Sequence, residues 1–225
     1  MSRQLKKDKV LSSVKDKELV KKRRNQMIQG AMTLFKEKGF HRTTTREIAK
    51  ESGFSIGTLY EYIRTKEDVL YLVCDSIYEN FLEWLEKKVD LTQPSIENLI
   101  KVVQSYFLLM DEMQEEVLIL YQEIKSLSKE TQEAILKKER HMVSMLERVI
   151  LKSFPDVMSS QDANLLANNI FIQGQMWGFR RWMLHRQFTL EDYINRQIQF
   201  LLSGMVLFES NDEITRYLSR QTDIS

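Results

Sequence analysis

The chain has 225 residues, 43% of them hydrophobic, which allows a folded core in one large or two unequal domains. This composition argues against a chain that is a disordered tail as a whole. Its 7 glycines and 2 prolines, and its richness in Leu, Glu, Lys, Met and Gln, favour helices over strands. The net charge of +1 conceals a basic segment, residues 1–68 at +8, and an acidic one, residues 69–225 at −7, a separation that indicates a polyanion-binding head on a body that does not bind the polyanion.

Simple counts argue against several other classes of protein. The single cysteine, Cys74, can form neither an internal disulfide nor a thiolate metal cluster, and we interpret it as a buried apolar residue in a reducing cytoplasm. The longest uncharged stretch, residues 163–179, carries three Asn and two Gln, so we expect no membrane span. The basic start of the chain is not followed by an apolar segment, which argues against a secretory signal.

Residues 1–23 are predicted to form a basic N-terminal arm. Residues 1–24 contain ten Lys or Arg and three Asp or Glu, and no glycine or proline marks a turn before a helix that begins near Leu19. Two interpretations stay open: a solubilising tail, and an arm that contacts a duplex.

Local signals predict the helices that follow. The first firm helix has apolar residues at three-and-four spacing and ends before Gly39, which can adopt the left-handed C-cap conformation. Thr44 and Glu47 have the spacing of a capping box for a short second helix. Gly53 then turns the chain.

The next two helices are predicted to start at hydroxyl side chains. Ser55 is placed to cap a helix over residues 56–63, and Thr65 with Asp68 is placed to cap a long helix that reaches Lys88. Two short helices around a glycine turn, braced by a helix on either side, have the form of a helix-turn-helix, whose second helix lies in the DNA major groove. The predicted core of this unit consists of Ile48, Ala49, Phe54, Leu59 and Ile63.

The rest of the chain keeps a helical pattern. Breaks are predicted at residues 92–94, near Asp111, at residues 126–128 and at residues 154–160. The last two strong helices are predicted over residues 161–185 and 190–208, and no repeat or low-complexity segment interrupts them.

The segment GFHRTTTREIAKESGFSIGTLYEYIRTKEDVL, residues 39–70, resembles the N-terminal DNA-binding domain of the TetR family of bacterial one-component repressors. The likeness covers about residues 24–72; beyond it only the helical layout agrees. It implies an all-α fold with a three-helix helix-turn-helix DNA-binding domain at residues 24–68. A larger C-terminal helical domain for ligand binding and dimerisation would follow at residues 69–209, and then a polar tail at residues 210–225. The features that carry the likeness are the glycine after the first helix, Thr44, Ile48-Ala49, Gly53, the run Ser55-x-Gly57-Thr58-Leu59-Tyr60-x-Tyr62, and Lys66-Glu67.

The outward residues of the second short helix are expected to contact DNA. Hydroxyls can donate to phosphate oxygens or base edges, Gly57 permits close approach of the backbone, and Ile56 can meet thymine methyls. Lys66 would add a charge near a phosphate at the start of the long helix. The resemblance implies that Ile56, Gly57 and Tyr60 face bases and that Thr44, Thr58, Tyr62 and Lys66 hold the DNA backbone. The full predicted set is Thr44, Thr45, Ser55, Ile56, Gly57, Thr58, Tyr60, Tyr62 and Lys66.

The last two helices are the predicted dimer surface. Gly174 and Gly178 leave a flat stripe that allows close helix approach, although the motif alone fits packing within one chain equally well. The resemblance implies a four-helix bundle between two copies, and a symmetric dimer presents two heads about 34 Å apart on one duplex face. The predicted dimer residues are Gly174, Gly178, Ile194, Ile198, Leu201 and Met205.

The larger domain is expected to hold a small ligand. No acidic residue lies between Asp162 and Glu191, where four cationic or titratable groups could bind an anion or simply complement a helix end at the surface. Methionine-rich apolar side chains suit an adaptable cavity. A further resemblance, to the fatty-acid and acyl-CoA-responsive members of the family, implies an acyl chain with a charged head. The predicted ligand residues are Phe107, Met110, Tyr121, Met145, Trp177 and Arg181.

No catalytic arrangement is visible. The histidines His41, His141 and His185 lack zinc-type spacing, and the chain has neither a Gly-rich phosphate loop nor a Gly-x-Ser-x-Gly elbow. We therefore expect no enzyme, no metal and no cofactor.

The predicted function is that of a cytoplasmic homodimeric transcription regulator. We expect a repressor that is released from a double-stranded DNA operator by a hydrophobic or acyl-type anion such as a fatty acyl-CoA. The long helix would act as the lever between ligand and DNA. Two alternatives stay open: a helical protein-interaction scaffold, and a helical enzyme acting on acyl groups.

Overall fold

The computed structural model describes residues 10–88, 95–155 and 158–206, except for the side chains of residues 205 and 206. Within these ranges the chain forms ten α-helices and one short 3-10 helix and no strand, which confirms the predicted all-α fold. The first nine residues of the predicted arm and the predicted tail, residues 210–225, lie outside the described part. The helices are α1 (Lys17–Lys38), α2 (Thr45–Glu51), α3 (Ile56–Tyr60), α4 (Lys66–Lys88), α5 (Ile96–Glu112), α6 (Gln114–Glu123), the 3-10 helix (Ile124–Ser126), α7 (Lys129–Ser153), α8 (Ser160–Phe179), α9 (Arg181–Gln187) and α10 (Leu190–Val206).

The chain divides into two compact units. The first consists of Met1–Phe81 with Glu115–Glu139, and the second of Leu82–Gln114 with Arg140–Ser225. The first unit contains the predicted helix-turn-helix. None of the described helices is long and apolar enough to cross a lipid bilayer.

Helix starts follow the caps predicted from the sequence. The Thr44 hydroxyl accepts from the backbone N–H of Glu47 at 3.3 Å, and the Glu47 carboxylate accepts from the backbone N–H of Thr44 at 2.9 Å, which completes a capping box. The same reciprocal pair forms before α4, where the backbone N–H of Asp68 donates to the Thr65 hydroxyl and that of Thr65 donates to the Asp68 carboxylate, both at 3.2 Å.

The first helix starts slightly earlier than expected. Asp16 caps it by accepting from the backbone N–H groups of Glu18 and Leu19, so α1 begins at Lys17. At its other end Gly39 caps the helix with a φ of 79° and donates its N–H to the carbonyl of Phe35, which confirms the predicted glycine C-cap. Its ψ of 159° lies outside the left-handed helical region, so the predicted left-handed conformation is wrong.

The core of the first unit is built from the predicted apolar faces. In α1 and α2 it includes Met27, Ala31, Leu34, Phe35, Ile48 and Ala49. One face of α4 contributes Leu70, Val73, Ile77 and Phe81, which recur at three-and-four spacing. Helices α1 and α2 approach closely at Gly30, where an added Cβ would lie 2.7 Å from the Ser52 hydroxyl oxygen. The short α2 and α3 are thereby held by tertiary packing, since helices of this length are not stable alone.

The second unit packs α8 and α10 against α5. The Tyr106 hydroxyl donates to the carbonyl of Phe171 at 3.0 Å, and the indole N–H of Trp177 donates to the Asp111 carboxylate at 2.7 Å. The Tyr193 hydroxyl donates to the carbonyl of Gln173 at 2.6 Å and joins α10 to α8. These bonds satisfy polar tips of aromatic side chains that are otherwise enclosed.

The helix predicted over residues 161–185 is wrong in its length, because α8 ends at Phe179 and α9 begins at Arg181. Arg180 has φ −109° and ψ 21°, outside the helical values, and its N–H still donates to the carbonyl of Met176 at 2.9 Å. In a continuous helix Trp177 and His185 would lie about 12 Å apart along the axis. The break folds α9 back, and the two rings stack with centroids 4.0 Å apart.

Candidate nucleic-acid interface

A glycine turn sets α3 against α2. Gly53 has a φ of 74°, a conformation that residues with a Cβ adopt at a cost, and its N–H donates to the carbonyl of Lys50. The backbone N–H of Phe54 then donates to the carbonyl of Ala49 at 2.8 Å. The two short helices are therefore joined by a fixed turn rather than by a flexible loop.

Serine caps α3, as the sequence predicts. The Ser55 hydroxyl accepts from the backbone N–H of Thr58 at 3.0 Å and lies 3.0 Å from the Thr58 hydroxyl. Leu59, on the opposite side, is fully buried together with Ile63. One side of α3 is thus fixed in the core, and the other side stays accessible.

The accessible side of α3 combines an apolar and a hydroxyl-bearing side chain. Ile56 and Tyr60 are 36% and 50% exposed, and their spacing of four residues places them on one helix face. Gly57 lies between them, and a Cβ added there would meet nothing closer than the Ser55 hydroxyl at 3.7 Å. An α-helix is narrow enough to enter the major groove, where base edges present hydrogen-bonding groups and thymine methyls.

The two short helices are also joined at this surface. The hydroxyls of Thr45, at the start of α2, and Tyr60, at the end of α3, lie 3.1 Å apart. Thr44 is exposed beside them. The structure therefore brings Thr44, Thr45, Ile56, Gly57 and Tyr60 to one accessible region of the first unit.

The expectation that Tyr62 faces outward is wrong. Its side chain is 3% exposed and packs in the core, after α3 has already ended at Tyr60. The helix was predicted to reach Ile63, but even in a continuous helix residues 60 and 62 lie about 200° apart around the axis. Tyr62 follows the buried Leu59 by three residues, which is a same-face spacing and is the signal that identifies it as core.

Lys66 is bound to the turn that follows α1. Its ammonium donates to the carbonyls of Phe40 and His41, at 3.1 and 3.4 Å, and lies 4.2 Å from the centroid of the Phe40 ring. An ammonium has three N–H donors. Lys66 thus has a structural role that the sequence did not indicate, with donor capacity left for a phosphate.

The residues predicted to bind a ligand separate into two groups. Phe107, Met110, Met145 and Trp177 are buried in the second unit. Tyr121 is 67% exposed in the first unit, so its predicted place in an enclosed cavity is wrong. Arg181 is exposed as well, at the start of α9.

The glycine stripe of α8 serves packing within one chain. A Cβ on Gly174 would lie 2.5 Å from the Tyr106 ring, and one on Gly178 would lie 3.1 Å from the Cβ of Gln114. Of the two interpretations of this motif, the structure supports intrachain packing, and the assignment of Gly174 and Gly178 to the dimer surface is wrong.

The predicted dimer face of α10 is also buried within the chain. Ile194 and Ile198 are enclosed in the second unit, Leu201 is half-buried, and the side chain of Met205 lies outside the described part. The exposed apolar residues of these helices are others: Leu165 and Ile172 on α8, and Phe200 on α10. The helical spacing of apolar residues in α10 correctly predicts a buried face. It does not predict whether that face packs within the chain or against a second copy.

No group of three or more His, Cys, Asp or Glu side chains that could hold a metal ion occurs among the described residues. Cys74 is buried, and this burial raises the pKa of its thiol to about 12, so the thiol stays protonated and unreactive at neutral pH.

Two protein-family models match two separate segments of this chain. Residues 27–71 match bacterial regulatory proteins of the tetR family, and residues 92–177 match the tetracyclin repressor-like C-terminal domain. The first match covers α2, α3 and the glycine turn, which carry the accessible surface. The second covers the stretch from before α5 to Trp177.

Individual proteins are similar to this chain over most of its length and over most of their own. The chain is 28% identical to the HTH-type transcriptional regulator HbdR of Aromatoleum sp. (strain CIB), over 86% of this chain and 85% of the relative. The fold is shared with the transcriptional regulator FadR from Bacillus subtilis in complex with stearoyl-CoA, at 22% identity and a TM-score of 0.67, over 80% and 98% of the two chains. It is also shared with AibR in complex with isovaleryl coenzyme A and operator DNA, at 21% identity and a TM-score of 0.66, over 79% and 97%.

Proposed function

We infer that this chain, which belongs to the tetR family of bacterial regulatory proteins, represses transcription by occupying an operator and leaves it when a small ligand binds. The family consists of DNA-binding transcription regulators rather than enzymes. The observation that carries the proposal is the accessible edge of α3, where Ile56 and Tyr60 flank Gly57 on one face.

This edge suits direct readout in the major groove. The Tyr60 hydroxyl can donate to a base edge or a phosphate, and the apolar atoms of Ile56 can contact a thymine methyl. Thr44 and Thr45, at the start of α2, would contact the sugar–phosphate backbone on the same side. Lys66 would add its remaining donor to a phosphate while it holds the turn after α1.

For the ligand we propose an acyl-CoA or a similar acyl anion. Two proteins of the same fold are described in complex with stearoyl-CoA and with isovaleryl coenzyme A. In this chain the second unit encloses large apolar side chains, including Phe107, Met110 and Trp177, which suit an acyl chain. The exposed cations Arg180, Arg181 and Arg186 suit the phosphates of a coenzyme A head.

We also propose a homodimer. Leu165 and Ile172, seven residues apart on one face of α8, and Phe200 on α10 are all exposed in the single chain. Large apolar side chains exposed in this way are characteristic of protein interfaces. Two copies related by a two-fold axis would present two α3 helices to successive turns of the duplex.

Release of the operator requires that the ligand bind the DNA-free form more tightly than the DNA-bound form. We propose α4 as the coupling element, because this helix leads the chain from the first unit into the second at residues 81 and 82. The coupling is reciprocal, so operator DNA must weaken ligand binding by the same factor.

The experiment is a selection of duplexes by the wild-type protein from a random-sequence pool, followed by titration of the selected duplex. We expect affinity that exceeds non-specific binding by roughly a thousandfold or more and falls steeply with salt. Stearoyl-CoA should lower this affinity by about tenfold or more, with free coenzyme A as the control. If no duplex is enriched, the DNA-binding proposal fails. If enrichment occurs and no acyl-CoA changes it, only the ligand proposal fails.

A further inference from the structure

The stretch just before α1 is fixed to the C-terminal end of α3. The backbone N–H of Ser13 donates to the carbonyl of Glu61 at 2.9 Å, and the hydroxyls of Ser12 and Ser13 donate to the same oxygen at 3.0 Å. Glu61 is the C-cap residue of α3. Carbonyls at a helix end have no intrahelical partner, so this contact satisfies one of them.

The first part of α1 reaches the other end of α3. The Arg23 guanidinium lies 5.0 Å from the centroid of the Phe54 ring, which is a cation–π distance. Phe54 directly precedes Ser55, the residue that caps the N-terminus of α3. The contacts at Phe54 and at Glu61, one near each end of α3, therefore hold residues 13–23 beside this helix. We call residues 13–23 the flanking segment.

The flanking segment presents a positively charged surface. It contains five Lys or Arg and two Asp or Glu, and one of these acids, Asp16, is engaged in capping α1. Lys17 stands in the first turn of α1, where the helix dipole favours anions, so the stability of α1 alone does not account for it. The lysines of the segment are all exposed: Lys15, Lys17, Lys21 and Lys22.

We propose that the flanking segment is a second DNA-contacting surface, whose lysines bind the phosphates that border the part of the major groove entered by α3. This inference rests on the proposed function. The major groove is about 12 Å wide, so its bordering phosphates lie about 6 Å to either side of a helix inside it. A segment that is already fixed beside α3 reaches such phosphates with long lysine side chains and loses little backbone freedom on binding.

The first test removes the four lysine charges. The variant K15Q/K17Q/K21Q/K22Q is compared with wild type on a duplex that the wild-type protein has selected from a random-sequence pool. Glutamine keeps a high helix propensity, so α1 should still form. Each phosphate contact contributes about 0.9 to the slope of log affinity against log salt, and we expect this slope to fall by about 2 to 4. The matched control K101Q/K125Q/K129Q/K137Q removes four exposed lysines elsewhere and should keep the wild-type slope.

The second test locates the flanking segment on the DNA directly. In Lys22→Cys an iron–EDTA group is tethered to the thiol at position 22, and it cleaves DNA close to that position. The natural Cys74 is the only cysteine of the chain and is buried, so it does not compete for the reagent. We expect cuts at the border of the selected half-site. The same group tethered in Lys137→Cys, at an exposed lysine of α7, is the control and should give no cuts there.

The outcomes separate this inference from the function on which it rests. Wild-type protein that selects no duplex contradicts the proposed function itself. Selection by wild type, with a slope in K15Q/K17Q/K21Q/K22Q equal to that of its control, contradicts only the flanking segment. Cuts by Lys22→Cys that fall no nearer to the half-site than those by Lys137→Cys contradict it as well. Should the fourfold variant fold poorly, the single substitution at Lys22 still decides.

Discussion

Tyr60 and Tyr62 stand two residues apart and differ completely in environment, since the first is half exposed beside Thr45 and the second is enclosed in the core. Both carry a phenol that could donate to a phosphate. Only the Tyr60 side chain is accessible from outside the protein, so the two tyrosines should respond to substitution in different assays.

Tyr60→Phe should weaken binding to a selected duplex by about fivefold to tenfold without changing the melting temperature by more than about 2 °C. The loss corresponds to about 1 kcal/mol for one hydroxyl hydrogen bond. The measurement is a fluorescence anisotropy titration. Thr33→Val, which removes an exposed hydroxyl from α1, is the matched control and should bind like wild type. Equal affinity of Tyr60→Phe and Thr33→Val would remove Tyr60 from the interface.

Tyr62→Ala should lower the free energy of unfolding by about 3 kcal/mol, the usual loss when a large aromatic ring leaves a core. Tyr60→Ala should change it by less than about 1 kcal/mol, because the ring is half exposed. Urea unfolding of the two variants at equal protein concentration makes the comparison. If Tyr60→Ala proved the more destabilising of the two, the burial described for Tyr62 would be wrong.

The elements that the sequence predicted well are those set by neighbours along the chain. The capping box of Thr44 and Glu47, the Ser55 cap and the positive φ of Gly39 and Gly53 depend on a few adjacent residues. Their geometry is therefore encoded locally. The family resemblance of residues 39–70 rests on the same local features.

The features that sequence reasoning missed depend on distant residues. The break at Arg180 accompanies the stacking of His185 on Trp177, and periodicity alone does not reveal such a contact. An apolar stripe on α10 predicts burial but not the partner surface, so Ile194 and Ile198 were assigned to a second copy and instead pack within their own chain. The hydrogen bond from Lys66 to the carbonyl of Phe40 joins residues 26 positions apart, so the sequence does not reveal it. The sequence therefore predicts only a phosphate contact for Lys66.

Ile172→Glu should separate the proposed homodimer. A charge placed in the middle of an apolar interface leaves an unpaired buried group in the dimer and an exposed one in the monomer. We expect the mass from light scattering at micromolar concentration to fall to that of one chain. Leu108→Glu, which places the same charge at an exposed leucine of α5, should stay dimeric. A dimer that survives both Ile172→Glu and Phe200→Glu would exclude this surface.

The capping box predicts a stability change in acid. The ammonium of Lys38 and the hydroxyl and N–H of Thr44 lower the pKa of Glu47 from 4.5 to about 2. Because the folded state holds the carboxylate, its contribution is complete above pH 4.5 and is lost as the pH falls towards 2.

The matched variant is Glu47→Gln, which keeps the shape and loses the titration. We expect wild type to melt at a higher temperature than Glu47→Gln at pH 7 and the two to converge near pH 2, as followed by circular dichroism. A difference in melting temperature that stayed constant from pH 7 to pH 2 would show that the charge of Glu47 does not support α2.

A substitution at Gly174 tests the packing of α8 against α5 in the second unit. A Cβ there would lie 2.5 Å from the Tyr106 ring and 3.0 Å from that of Phe107, and Tyr106 is itself fixed by its bond to the carbonyl of Phe171. Since the ring cannot move without losing that bond, Gly174→Ala should destabilise the protein by about 1 to 3 kcal/mol. Gly204→Ala adds the same methyl to α10, where nothing lies within 4 Å, and should be neutral or stabilising by up to about 1 kcal/mol. Urea unfolding of the pair gives the sign of each change directly. A Gly174→Ala variant as stable as Gly204→Ala would mean that α8 does not approach α5 at this glycine.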